Sequence, residues 1–153
     1  MIALVASSAV AQDRVAELRT RFAKETNPVH KANMVPQLAD AEFGDIQRQV
    51  AAGNLEEAAA TAGKLRDEAR LAQEALDGKK RDAEKHPEGY RQLQISVRES
   101  VRRLNDILIG LAGDEQKPFQ EIRDDLEKID RQLIHQLFPN RPSDAPPPTK
   151  PGF

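Results

Sequence analysis

The sequence predicts an all-α fold: an antiparallel bundle of four to five helices with coiled-coil-like packing and a disordered, proline-rich C-terminal tail. Three observations predict it. Apolar residues recur in alternating steps of three and four through several separate segments, which puts them on one face of a 3.6-residue helix. Aromatics are only 4%, with no Trp and one Tyr, while Ala, Leu, Gln, Glu, Arg and Lys dominate, a mixture that favours helix over sheet. Gly-, Asn- and Pro-bearing breaks separate the stripes at Asn27-Pro28, Gly53-Asn54, His86-Pro87-Glu88-Gly89 and Gly113-Asp114. At 153 residues the chain is long enough for one domain with its own core.

Met1 to Ala11 is apolar and small, and Ala9-Val10-Ala11 before Gln12 is the small-x-small pattern at which signal peptidase cuts. The stretch lacks the opening Lys or Arg of a secretory signal and its apolar core is short; a start codon placed too far downstream would explain both. Residues 1–11 are therefore read as a truncated signal peptide, 12–138 as the helical bundle and 139–153 as the tail. The alternative is that 1–11 are the first turns of an N-terminal helix. No segment approaches the roughly 20 apolar residues needed to span a bilayer.

Val15, Leu18 and Phe22 continue the spacing, predicting a first helix over Gln12 to Glu25. Asn27-Pro28 ends it and offers a cap with Pro at the first helical position. Because proline deep in a helix costs about 3 kcal/mol, Asn33 is the expected cap of the next element, with Pro36 in its first turn. Val35, Ala39, Phe43, Ile46 and Val50 then form the stripe that runs to Gly53.

The next stripe is the most regular: Leu55, Ala58, Ala62, Leu65, Ala69, Ala72 and Leu76. Gly53 suits the left-handed residue that ends one helix, Asn54 suits the cap of the next, and Glu56 and Glu57 complement its dipole. The seam is mostly alanine, so its neighbours must come close and bring the larger side chains. A second copy of the chain is one candidate neighbour, giving a homodimer. Beyond Leu76 the helix is expected to continue through Asp77-Gly78-Lys79-Lys80-Arg81, weakened at Gly78 by about 1 kcal/mol, to the break at His86. Gly53-Asn54-Leu55-Glu56-Glu57-Ala58 resembles the turn and second-helix opening of a tetratricopeptide repeat. Arg70 stands where the repeat carries its closing proline, the helix runs about twice a repeat's helix length, and no second copy follows. The resemblance is read as convergent hairpin chemistry.

Tyr90, Leu93, Val97, Ser100, Leu104, Ile107 and Leu111 make the next stripe, widened by Val101 and Leu108. Gly113-Asp114 pairs a helix stop with a cap. Pro118 fits the opening turn of the last helix, whose stripe is Phe119, Ile122, Leu126, Ile129, Leu133 and Leu137, closed by Pro139. Asn140 to Phe153 holds five prolines and almost no apolar anchor, a composition that predicts a partly polyproline tail.

Charge predicts one pairing. Lys79 to Arg103 has eight basic residues against four acidic, and Asp114 to Asp130 has seven acidic against three basic, so a hairpin at Gly113 sets opposite charge side by side. Arg98, Arg102 and Arg103 are accordingly assigned to structural pairing with the last helix. A formal net charge of -2 removes the bulk attraction expected of a nucleic-acid binder. With no cysteine there is no thiolate chemistry and no Cys-based metal site.

No residue is assigned a catalytic, cofactor-binding or metal-binding role, and no cofactor is expected. The residues three before His30, His86 and His135 are Asn27, Ala83 and Gln132, so the Glu-x-x-His pair of carboxylate-bridged dimetal bundles is missing at all three. Glu84, His86 and Glu88 cluster at a helix break, where a solvated loop outweighs a metal site. His135 flanks the last seam and is read as a boundary or satisfied core residue. Ser96 and Ser100 have no histidine in the local pattern, and Ser100 is read as a small residue that lets another helix approach. The expected function is therefore non-enzymatic: a periplasmic or secreted bundle acting through protein contacts as an adaptor or chaperone-like factor, its partner unknown. The alternatives are a periplasmic metal-binding or sensing protein using His86 and nearby carboxylates, and an intracellular (cytoplasmic) tetratricopeptide-like interaction module.

Overall fold

A computed structural model describes residues 3–140, with side chains from residue 9 onward. The described residues form five helices and no strand: α1 (Ala3–Lys24), α2 (Pro28–Ala51), α3 (Leu55–Asp77), α4 (Tyr90–Ile109) and α5 (Gly113–Leu137). Helix α1 begins earlier than the expected Gln12, since Ala3 to Ala11 join it as continuous helix. The proline-rich tail beyond Asn140 lies outside the described residues.

The stripes turn inward as their spacing requires. Val15, Leu18 and Phe22 of α1, Val35, Ala39, Phe43 and Ile46 of α2, and Ala58, Ala62, Leu65, Ala69, Ala72 and Leu76 of α3 are buried. Leu93, Val97 and Leu104 of α4 and all six stripe residues of α5 join them, Val15 apart, in one core. Each fully buried Leu, Ile or Phe contributes roughly 1.5–3 kcal/mol. The alanine seam of α3 is closed by α2 and α5 within the same chain, so it does not call for a second copy.

Four helix ends differ from expectation. Asn27, not Asn33, caps α2: its Oδ1 accepts from the N–H groups of Val29 at 3.0 Å and His30 at 3.1 Å, with Pro28 at the first helical position. Pro36 consequently lies inside α2, where Val35, Leu38 and Ala39 beside it are buried and offset its missing N–H. Helix α3 stops at Asp77 with Gly78 as its C-cap and does not reach His86, because residues 77–82 carry no apolar face to bury. Gly110 ends α4 and Ala112 precedes α5, so Gly113 and Asp114 are already helical and Pro118 sits in the second turn, on the exposed side.

The α2–α3 turn is as expected at Gly53, which is left-handed (φ 79°). Asn54 N–H donates to Gln49 O at 2.8 Å and Gly53 N–H to Val50 O at 3.0 Å, a Schellman closure. The Asn54 side chain makes no capping bond, so its role at this turn is carried by its backbone.

Consecutive helices are antiparallel, but lateral neighbours run parallel. Arg66 with Asp125, Gln73 with Gln132 and Asp77 with Gln136 are hydrogen-bonded pairs, each 59 positions apart, which lays α3 and α5 side by side in the same direction. Helix α2 runs beside α4 in the same way, with Gly89 against Val29 and Ala32 at one end and Arg103 against Asp40 and Phe43 further along. The α2–α3 hairpin is therefore stacked on the α4–α5 hairpin. Helices α3 and α5 bury residues at the same intervals, Ala58, Leu65, Ala72 and Leu76 on α3 and Phe119, Leu126, Leu133 and Leu137 on α5. Helix α1 packs outside, on α2.

Candidate functional site

Parallel stacking brings the starts of α2 and α4 and the end of α3 to one end of the bundle, where the 78–89 connection crosses between them. A cleft of about 590 Å³ opens there. Its inner wall is apolar, from half-buried Pro28 and Val29 and buried Leu76, and its outer wall carries exposed His30, Lys79, Arg81, His86 and Glu88. Tyr90 closes the base. Its hydroxyl donates to Asp77 Oδ1 at 3.1 Å, and burial, then the Asp77 charge, push the phenol up to about 12. Asp77 Oδ1 also accepts from Gln136 Nε2 at 2.8 Å, tying the ends of α3, α4 and α5 together beneath the cleft.

Two backbone features shape the connection. Gly89 has φ 83°, and a Cβ there would stand 2.9 Å from Leu76 Cδ2 and 3.3 Å from Val29 Cα, so only glycine lets the chain run this close to α2 and α3. Lys80 is left-handed (φ 50°), and this turn sets its neighbours Lys79 and Arg81 on the same cleft.

The residues singled out in the sequence are distributed as follows. His30 and His86, far apart in the chain, meet at the cleft. Glu84, grouped with His86 and Glu88 in the sequence, lines a separate hollow with Pro87, Arg91 and Phe138. Among the described residues no three His, Asp or Glu side chains are grouped to hold a metal ion. His135 is exposed on α5, outside the core, because the turn before Leu137 faces it to solvent.

Ser96 and Ser100 are buried where α2 meets α4, and Ser100 Oγ donates to Ser96 O at 2.9 Å, the close-approach role expected of Ser100. Of the three arginines, only Arg98 reaches the last helix, at 3.5 Å from Asp130. Arg102 pairs with Glu99 on its own helix, and Arg103 reaches α2, 2.9 Å from Asp40 with its guanidinium 5.1 Å from the Phe43 ring centre. The opposite charges of α4 and α5 lie side by side, but parallel stacking sends part of the basic face to α2. That same junction forms a shallow groove of about 180 Å³ between α2 and α4, with Phe43 at its floor and Ile95, 56% exposed, on its edge.

A buried ionic cluster joins α1, α2 and α3. Arg19 Nη2 lies 3.1 Å from Glu42 Oε2, and its Nε lies 3.5 Å from Glu68 Oε1. Glu42 is wholly buried, and its Oε1 has no donor among ordinary hydrogen-bond partners. Burial and the adjoining Glu42 carboxyl, which shares a hydrogen bond with Glu68, push Glu68 up to about 9. The raised value favours the protonated form of Glu68 beside Glu42. The sequence does carry a signal for this cluster: Arg19 follows Val15 by four, Glu42 follows Ala39 by three, and Glu68 follows Leu65 by three. All three ionisable residues interrupt the inward faces.

Comparison of the chain with protein-family models, with curated proteins and with solved structures yields no match.

Proposed function

We propose that the protein is a non-enzymatic helical scaffold that works by contact with another protein, exported to the periplasm or beyond, in the manner of an adaptor or chaperone-like factor. The parallel stacking of α2 on α4 carries this reading. Stacked hairpins present aligned helix faces as extended binding surfaces, and here that face holds Ile95, the Asp40–Arg103 pair and Glu99 around the α2/α4 groove. An exposed apolar residue framed by charge matches the composition of a contact surface with a polar rim. The Ala9-Val10-Ala11 pattern supports the exported location.

A photo-crosslinking amino acid at Ile95, with the same group at exposed Lys128 of α5 as control, tests the contact in the native host. A discrete protein adduct from position 95 alone supports the proposal; equal labelling from both positions, or none from 95, rejects this face. Mass spectrometry of the N-terminus tests export separately. Loss of Met1 to Ala11 is expected, and an intact terminus favours the intracellular alternative.

A further inference from the structure

We propose that the cleft at the end of the bundle binds a small organic monoanion, an apolar body bearing one carboxylate. Its volume of about 590 Å³ falls in the range of small-molecule pockets, roughly 300–1,000 Å³. Pro28, Val29 and Leu76 offer an apolar wall for the body of the ligand. Lys79 and Arg81 offer the charge, and neither makes an ion pair among the described residues. The left-handed turn at Lys80, a conformation that a residue with a Cβ adopts only at a cost, is what sets both cations on one cleft. Glu88 is the one carboxylate in the lining, so two cations face one anion and a single net positive charge remains. That excess of positive charge suits an anion, and the apolar wall favours an organic body over a fully hydrated ion such as phosphate. The guanidinium matches a carboxylate through two parallel N–H donors, and the imidazoles of His30 and His86 can hydrogen-bond the polar end of the ligand.

The site is separate from the α2/α4 face, so it stands or falls independently of the contact proposal. Amide chemical shifts of the full chain, followed during titration with octanoate, octanol and inorganic phosphate, test it. Octanoate is expected to shift amides of residues 26–31 and 76–90 saturably. The Lys79→Ala/Arg81→Ala double variant, altered only at exposed positions, should bind octanoate about tenfold or more weakly, a loss in line with removing charge-assisted hydrogen bonds. Octanol should bind weakly and equally to both forms. A Lys64→Ala/Lys128→Ala control removes the same charge elsewhere and should leave octanoate binding intact. Glu88→Gln should tighten it. Octanoate shifts spread over the whole bundle, equal affinity in the Lys79/Arg81 double variant, loss in the Lys64/Lys128 control, or saturable phosphate binding at the cleft would each overturn the assignment.

Discussion

Glu42 and Glu68, on adjacent helices, bring their carboxyl groups to one guanidinium: Arg19 Nη2 lies 3.1 Å from Glu42 Oε2 and its Nε 3.5 Å from Glu68 Oε1. One arginine faces two carboxyl groups, and the second carboxyl is kept neutral by burial and by the first. Through its single guanidinium α1 is held to both α2 and α3.

The pH dependence follows from the raised value at Glu68. Its proton is bound more tightly in the folded chain, at about 9, than the ordinary 4.5. The folded state therefore holds the extra proton between these limits, and stability is fully present below 4.5 and declines as pH rises toward 9. Lys64 and Arg19 oppose the shift and Glu42 reinforces it. The Glu68→Gln variant removes the group with the raised value, so thermal melts across this pH window should show a flatter decline. An unchanged slope would mean that Glu68 is not the source.

Replacing Arg19 by Met should destabilise by about 3–5 kcal/mol, because Glu42 would be left buried without its cation. The double replacement Arg19→Met/Glu42→Met should recover much of that loss, since apolar side chains of similar volume often substitute for a buried ion pair without penalty. Urea unfolding measures both, and hydrogen exchange should report faster opening of α1 in the single variant.

The closed alanine seam predicts intolerance of bulk. Ala72 has no exposed surface, so Ala72→Leu should cost about 1–3 kcal/mol by overpacking. Ala60→Leu, on the exposed side of the same helix, should change stability by less than about 0.5 kcal/mol. If Ala72→Leu proves neutral, the close approach of α2 and α5 to α3 is wrong.

The connection between α3 and α4 makes a paired prediction. Gly89→Ala adds a Cβ 2.9 Å from Leu76 Cδ2 in a left-handed residue, and a loss of about 1–3 kcal/mol is expected. Lys80→Gly relieves a left-handed lysine and should raise stability by up to about 1 kcal/mol. Denaturant midpoints of the two variants moving in opposite directions would match the backbone described here.

Much of the bundle was legible one helix at a time. The six buried stripe residues of α5 and the three of α1 are those the three-four spacing picks out, because a helix can bury only one face and the period of 3.6 marks it. Helix ends were less legible. Whether Asn27 or Asn33 caps α2 depends on whether the burial of Val35, Leu38 and Ala39 outweighs a proline inside the helix, which is a property of the packed core. The end of α3 at Asp77 turns on the same competition: past Gly78 no apolar face remains to repay helix formation.

The sequence by itself determined an all-helical bundle of four to five helices, their inward faces and the alternation of direction along the chain, since spacing, caps and short turns are local physics. Only the tertiary structure decided that the two hairpins stack in parallel. From that stacking follow the meeting of His30 with His86 in one cleft and the turning of Arg103 toward α2, while the packing of α1 on the first hairpin sets Arg19 beside Glu42 and Glu68. Contacts between helices distant in sequence depend on how whole surfaces fit and exclude water, and no local pattern encodes which of several matching stripes will be neighbours.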